Sequence, residues 1–140
     1  MGVYCATDNS LALSEDYLDR VFFILGSLSG GMAVALGAFA AHGLRSRLTP
    51  DLLANFETGA RYQMYHALAL LAVAWAVTHW TRSAFPAYAG WLFVVGTILF
   101  SFSLYLLTLT GARWLGAITP LGGVAFVAGW VCLALAAWRG

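Results

Sequence analysis

The chain has 140 residues, 61% of them hydrophobic and 9% charged, with a mean hydropathy of +0.80. A soluble domain carries roughly a quarter charged residues, so this composition excludes an ordinary water-soluble fold and points to a bilayer. Net charge is only +1 and the basic residues are single, scattered arginines, which excludes nucleic acid as a partner.

Residues 1–20 read as an acidic tail, with Asp8, Glu15, Asp16 and Asp19 against Arg20. That charge is wrong for the n-region of a signal peptide, so the first apolar segment is expected to be retained, and the tail to dock on a partner. Ala6 stands where a myristoylation motif wants Ser or Thr. Four stretches then reach the roughly 20 apolar residues a spanning helix needs, at about 21–42, 59–78, 86–109 and 114–138. All connections are short. Residues 21–140 are therefore predicted to form an all-α integral membrane four-helix bundle, up-down-up-down, with both termini on one side.

In the first helix small residues recur every fourth position, Ser29, Ala33, Gly37 and Ala41 beside Gly26 and Gly30. Lipid offers no hydrophobic drive to bring helices together, so such rows allow the close backbone approach that replaces it. Thr49-Pro50-Asp51 carries an N-cap residue, a first-turn proline and an acid on the positive end of the helix dipole. The second helix is thus expected to begin in water, with Leu52, Leu53 and Phe56 along the membrane surface. Pro86 opens the third helix. Thr119-Pro120 should kink or restart the fourth, where Gly122, Gly123 and Gly129 supply further packing positions. Trp80, Trp91, Trp114 and Trp138 fall towards segment ends and mark interfaces. Arg45, Arg47, Arg61 and Arg113 on one side against Arg20, Arg82 and Arg139 on the other lean the 1–2 and 3–4 loops to the cytoplasm and the termini away from it.

The polar chemistry is concentrated at the mouth of the second helix. Glu57, Arg61, Tyr65, Tyr62 and His66 fall within about half of the helix circumference, and Glu57 and Arg61 are spaced for an ion pair within the helix. His42, ending the first helix at the same boundary, is expected within one or two turns of depth of His66. The predicted arrangement is an interhelical hydrogen-bond network of His42, Glu57, Arg61, Tyr62, Gln63, Tyr65 and His66, with Tyr105 as a further member. Two rival uses of the same residues are a proton or ion route and a bis-histidine haem site. Cys5 and Cys132 lack any metal-binding spacing, and neither a metal nor a cofactor is predicted.

The stretches "GAFAAHGL" at 37–44, "FETGARYQMYHALALL" at 56–71, "FSFSLYLLTLTG" at 100–111 and "LGAITPLGGVAFVAGW" at 115–130 resemble a family of small membrane proteins, domain of unknown function 423. That family includes a bacterial inner membrane protein and the animal transmembrane protein 256. The resemblance covers about residues 21–138 and implies four membrane helices with no established activity. Family members begin near the first helix, so the tail is extra, and Phe102 replaces a glycine between the two serines of the third helix, where it would fill space otherwise open to a close helix contact or a ligand.

No nucleophile-base-orienter arrangement is present, so the chain is read as a non-enzyme. Four short-looped helices leave little room for a substrate cavity and its gates. The expected role is an accessory or scaffolding subunit of a larger membrane-protein complex in the bacterial inner (plasma) membrane. The alternative is a small transporter or proton-conducting protein built on the polar cluster.

Overall fold

The computed structural model describes the backbone of residues 5–139 and the side chains of residues 17–139. Among the described residues it is all-helical, with four rods and no strand. The first rod is α1 (Cys5–Phe39), prolonged by a π-helical turn, Ala40–Leu44. The second is α2 (Pro50–His79). The third joins α3 (Phe85–Thr97) through a second π-helical turn, Ile98–Phe102, to α4 (Ser103–Thr110). A 3-10 turn, Arg113–Ala117, leads into α5 (Thr119–Arg139), the fourth rod.

The boundaries depart from expectation where local chemistry is strongest. α1 starts at Cys5, so the backbone of much of the acidic tail continues the first helix upstream of residue 21. The side chains of Asp8, Glu15 and Asp16 lie outside the described residues. α2 starts at Pro50, with Asp51 in its first turn, but Thr49 occupies the cap position without a capping hydrogen bond. Phe56, expected on the membrane surface, is 1% exposed and packs on Tyr105 at 4.7 Å between ring centroids. The fourth rod does restart at Thr119-Pro120, changing there from 3-10 to α geometry. α4 ends at Gly111, whose φ of 72° lets its N–H close back on the Leu107 carbonyl, a left-handed cap that a side chain would strain.

Three segments are long and apolar enough to cross a membrane: Tyr17–Leu44, Phe85–Thr110 and Arg113–Arg139. α2, expected as a fourth, is not among them. Gln63, His66, Tyr62 and Tyr65 dilute its apolar character, and it packs against α1, α3, α4 and α5. Its interior residues run from Phe56 to Val77, so much of its surface meets protein.

Close approach sets the packing. An added Cβ at Gly26 would lie 2.8 Å from the Ala67 carbonyl of α2, and one at Gly129 would meet the Phe93 ring. Gly96 and Gly122 face each other across α3 and α5, with the Gly122 position 2.5 Å from the Phe100 amide nitrogen. Gly30 makes ordinary contact with Ala67, while Gly37 and Gly123 face open space. Two glycines outside the predicted packing set do similar work: Gly90 lies under the Phe22 ring and Gly59 under Tyr105. The larger core gathers Phe22, Leu70, Val73, Ala89, Phe93 and Phe126; the smaller gathers Ala40, Leu44, Phe56, Ala60 and Tyr105. Phe102 stands partly outward. It is 41% exposed and presents its ring to the edge of Tyr105 in the same rod, because the π turn carries it outward.

Candidate functional site

The polar cluster divides among three directions. Half a helix circumference is wide enough to face two neighbours, and α2 has three. Gln63, 1% exposed, looks between rods: its amide Nε2 donates to the Ser29 carbonyl of α1 at 3.0 Å, and its Oε1 accepts the Tyr105 hydroxyl of α4 at 2.8 Å. This single side chain joins three rods. A buried amide without such partners would be costly, so each bond offsets the burial of the groups it joins.

His66, 4% exposed, turns instead to α5 and lies on the Phe126 ring, centroids 3.4 Å apart and planes 4° from parallel. Its Nδ1 is 2.8 Å from the Tyr62 carbonyl, which can only accept; its Nε2 is 3.3 Å from the indole nitrogen of Trp130, which can only donate. The two partners together select the neutral tautomer with the proton on Nδ1. Both ring nitrogens are engaged, which leaves none for an axial metal bond. Replacing Trp130 by Phe keeps an aromatic ring but removes the donor. The expected loss is about 0.5–1.5 kcal/mol of unfolding free energy in detergent; no change would mean that the 3.3 Å contact carries no stability.

His42 does not join His66. It is exposed in the first π turn, level with the Phe56 cluster, which lies ten residues of α2, or roughly 15 Å, from His66. The bis-histidine geometry is therefore absent. Glu57 and Arg61 are also exposed, and among the described residues no ion pair within 4.0 Å forms between them. With Tyr65 they line an open groove of about 340 Å³ between α1 and α2 whose other walls are Ala33, Gly37, Ala60 and Met64.

A second, larger groove of about 890 Å³ opens between α2 and α5. Tyr62, Tyr65, His66, Phe100, Phe126 and Trp130 supply its aromatic walls, and Gly123, Val124 and Val127 its α5 floor. Tyr62 packs on Phe100 at 4.7 Å. Elsewhere the mid-helix hydroxyls are satisfied locally. Thr97 donates to the Phe93 carbonyl, Ser103 to Phe100, and Ser103 and Thr119 bond each other across rods at 2.8 Å. Among the described residues the Ser101 hydroxyl alone is buried without a partner.

Sequence reasoning passed over Trp130, Phe126 and the Ser29 carbonyl. A signal for the first existed: an indole N–H away from the segment ends needs an acceptor, and few side chains here can provide one.

Fold and site together define a small all-helical protein with its polar bonds inside and much of its outer surface apolar. The chain belongs to the family described as "Protein of unknown function (DUF423)", which it matches over residues 36–123. It is 47% identical over 118 residues to the UPF0382 membrane protein YwdK of Bacillus subtilis strain 168, covering 84% of this chain and 96% of that one. It is likewise 46% identical over 120 residues to the UPF0382 membrane protein SSP2132 of Staphylococcus saprophyticus, covering 86% and 98%. Like these relatives it is a membrane protein. No solved structure matches it.

Proposed function

We propose that this is a non-catalytic accessory or scaffolding subunit that packs against a larger membrane-protein complex in the bacterial inner membrane. In this reading all four rods cross the bilayer, up-down-up-down, with the termini on the non-cytoplasmic side. α2 crosses despite its lower hydropathy because its two most polar inward residues, Gln63 and His66, are bonded within the protein and need no water. The sense of packing agrees. Gly26 of α1 packs on Leu70 and Leu71 of α2, while Leu44 at the end of the first rod groups with Phe56 near the start of α2, and Ser103 of α4 meets Thr119 of α5.

The observation that carries the accessory role is the ring-lined groove between α2 and α5. It opens to the outside of the bundle and offers two phenols and an indole beside small residues, the mix of surfaces against which a partner helix packs. Transport or proton conduction draws less support. Glu57 and Arg61 face the α1 side while His66 faces α5, so the charged and titratable groups do not line one path.

Photo-crosslinking from within the groove tests the role. A benzophenone side chain at Val127 or Val124 is expected to capture one membrane protein of constant mass in native membranes, and the same group at Leu28 on the outer face of α1 to capture none. Equal, diffuse labelling from both faces, or capture only of a second copy of this chain, would overturn it.

A further inference from the structure

The groove between α1 and α2 has a chemistry that the aromatic groove lacks. Its rim carries a carboxylate and a guanidinium one helical turn apart, both exposed and, among the described residues, not paired with each other. Tyr65 follows a further turn along, 52% exposed and with no hydrogen bond to its hydroxyl among the described residues. Behind them the wall is made of Ala33, Gly37, Ala60 and Met64, and a Cβ at Gly37 would meet nothing within 4 Å. The groove is therefore polar at its edge and lined by small side chains at its back.

The order of these groups matters. α2 enters the apolar zone from Pro50, so Glu57 is shallowest, Arg61 lies about 6 Å deeper and Tyr65 about 6 Å deeper again. A phospholipid with an amine headgroup presents its groups in the same order: ammonium outermost, phosphate next, ester carbonyls below it, acyl chains last. We propose that this groove binds one phospholipid carrying a primary ammonium, of the phosphatidylethanolamine class. The ammonium donates to the Glu57 carboxylate, the Arg61 guanidinium donates to the phosphate oxygens, and the Tyr65 hydroxyl donates to an ester carbonyl. An acyl chain lies along Ala33, Gly37 and Ala60.

The geometry also states what is rejected. A phosphatidylglycerol headgroup offers Arg61 its phosphate but places only neutral hydroxyls at Glu57, which donate without the ammonium's charge and leave the carboxylate uncompensated. A choline headgroup keeps the positive charge but has no N–H to donate, so it loses the charge-assisted bond to the carboxylate. Selectivity is thus assigned to Glu57, general phospholipid retention to Arg61, and room for the chain to Gly37.

The inference rests on α2 crossing the bilayer, and the test separates the two. The full chain, delipidated in mild detergent, is titrated with phosphatidylethanolamine, phosphatidylglycerol and phosphatidylcholine of matched chains, and bound lipid is counted by native mass spectrometry. Retention of the ethanolamine lipid is expected to exceed that of the glycerol lipid by about threefold or more. Glu57→Gln should bring that ratio near one, Arg61→Gln should lower retention of all three lipids, and Gly37→Leu should lower it by filling the groove. Glu57 and Arg61 are exposed and Gly37 faces open space, so the three variants are expected to keep wild-type helicity and melting. Equal retention in the wild type, or a preference that Glu57→Gln leaves unchanged, overturns the proposal; equal retention that depends on Arg61 marks a general phosphate site instead. Failure of the crossing itself is read elsewhere. With Cys5 and Cys132 replaced by Ser, Leu68→Cys would be labelled in intact membranes by a charged, impermeant thiol reagent if α2 lay in water, whereas an unselective groove leaves it protected.

Discussion

Gly122→Ala is expected to lower the unfolding free energy in detergent by about 1–3 kcal/mol, towards the upper end of what overpacking a tight contact costs. One added methyl group would stand 2.5 Å from the Phe100 amide nitrogen, 2.7 Å from the Phe100 Cβ and 2.9 Å from the Gly96 carbonyl oxygen. Two of these three atoms are backbone, so no side-chain rotation relieves the clash and the α3–α5 interface has to open. In water the burial of apolar surface elsewhere could hold such an interface together; in lipid the separated surfaces are solvated equally well by acyl chains, and little opposes the opening. Gly123→Ala supplies the comparison. It adds the same methyl to the next residue of the same helix, where nothing lies within 4 Å, and is expected to change stability by less than about 0.5 kcal/mol. Thermal unfolding of both in one detergent checks the pair. If the two variants behaved alike, the face of α5 that meets α3 would not be the one described.

The contrast between these adjacent glycines shows what a sequence can disclose about a bundle of this kind. Helix number and restart points were legible because they depend on neighbours along the chain: apolar length, Pro50 in a first turn, Thr119-Pro120 inside the fourth run. The small-residue rows were visible too. Which members of a row touch another helix was not, because spacing gives an angle about the axis and says nothing of what stands at that angle. Gly26 meets the Ala67 carbonyl, yet Gly37, along the same helix, opens on a groove.

The polar cluster failed as a single site for the same reason. Residues spread over half of α2 were read as one network with His42 and Tyr105; the Gln63–Tyr105 bond forms, but Glu57 and Arg61 look towards α1, Gln63 looks between α1 and α4, and His66 looks to α5. The depth of His42 was misjudged because α2 runs far ahead of its apolar stretch, which places Phe56 rather than His66 level with the end of the first rod. The π turn at Ile98–Phe102 added a further displacement. One inserted residue turns everything after it by about 100° relative to an uninterrupted α-helix, and this decides that Tyr105 faces inward and Phe102 outward. Nothing in the local composition announces it.

Removing the Gln63–Tyr105 bond is expected to show coupling that neither single change reveals. Tyr105→Phe deletes one hydroxyl and leaves the Gln63 carbonyl oxygen buried with no donor, while Gln63→Leu leaves the Tyr105 hydroxyl buried with no acceptor and also strips the Ser29 carbonyl of its amide partner. Each orphaned group costs about 1–3 kcal/mol where water cannot reach it. The double variant has no orphan at this bond, so its loss should fall short of the summed single losses by about 0.6–1.7 kcal/mol, from the average to the upper limit for interhelical hydrogen bonds in lipid. Gln63→Leu should be the more damaging single change, because Gln63 is hydrogen-bonded to two other rods where Tyr105 is bonded to one, and its loss frees α1 as well as α4. Unfolding of the four proteins in one lipid–detergent mixture measures the cycle. Strict additivity would show that water or a rotated side chain already compensates at this level, and the interior would then be wet enough to revive the case for conduction. Coupling of the expected sign and size would instead make Gln63 the side chain that fixes the register of the first three rods, with the grooves on either side of α2 left to bind whatever the bundle presents them to.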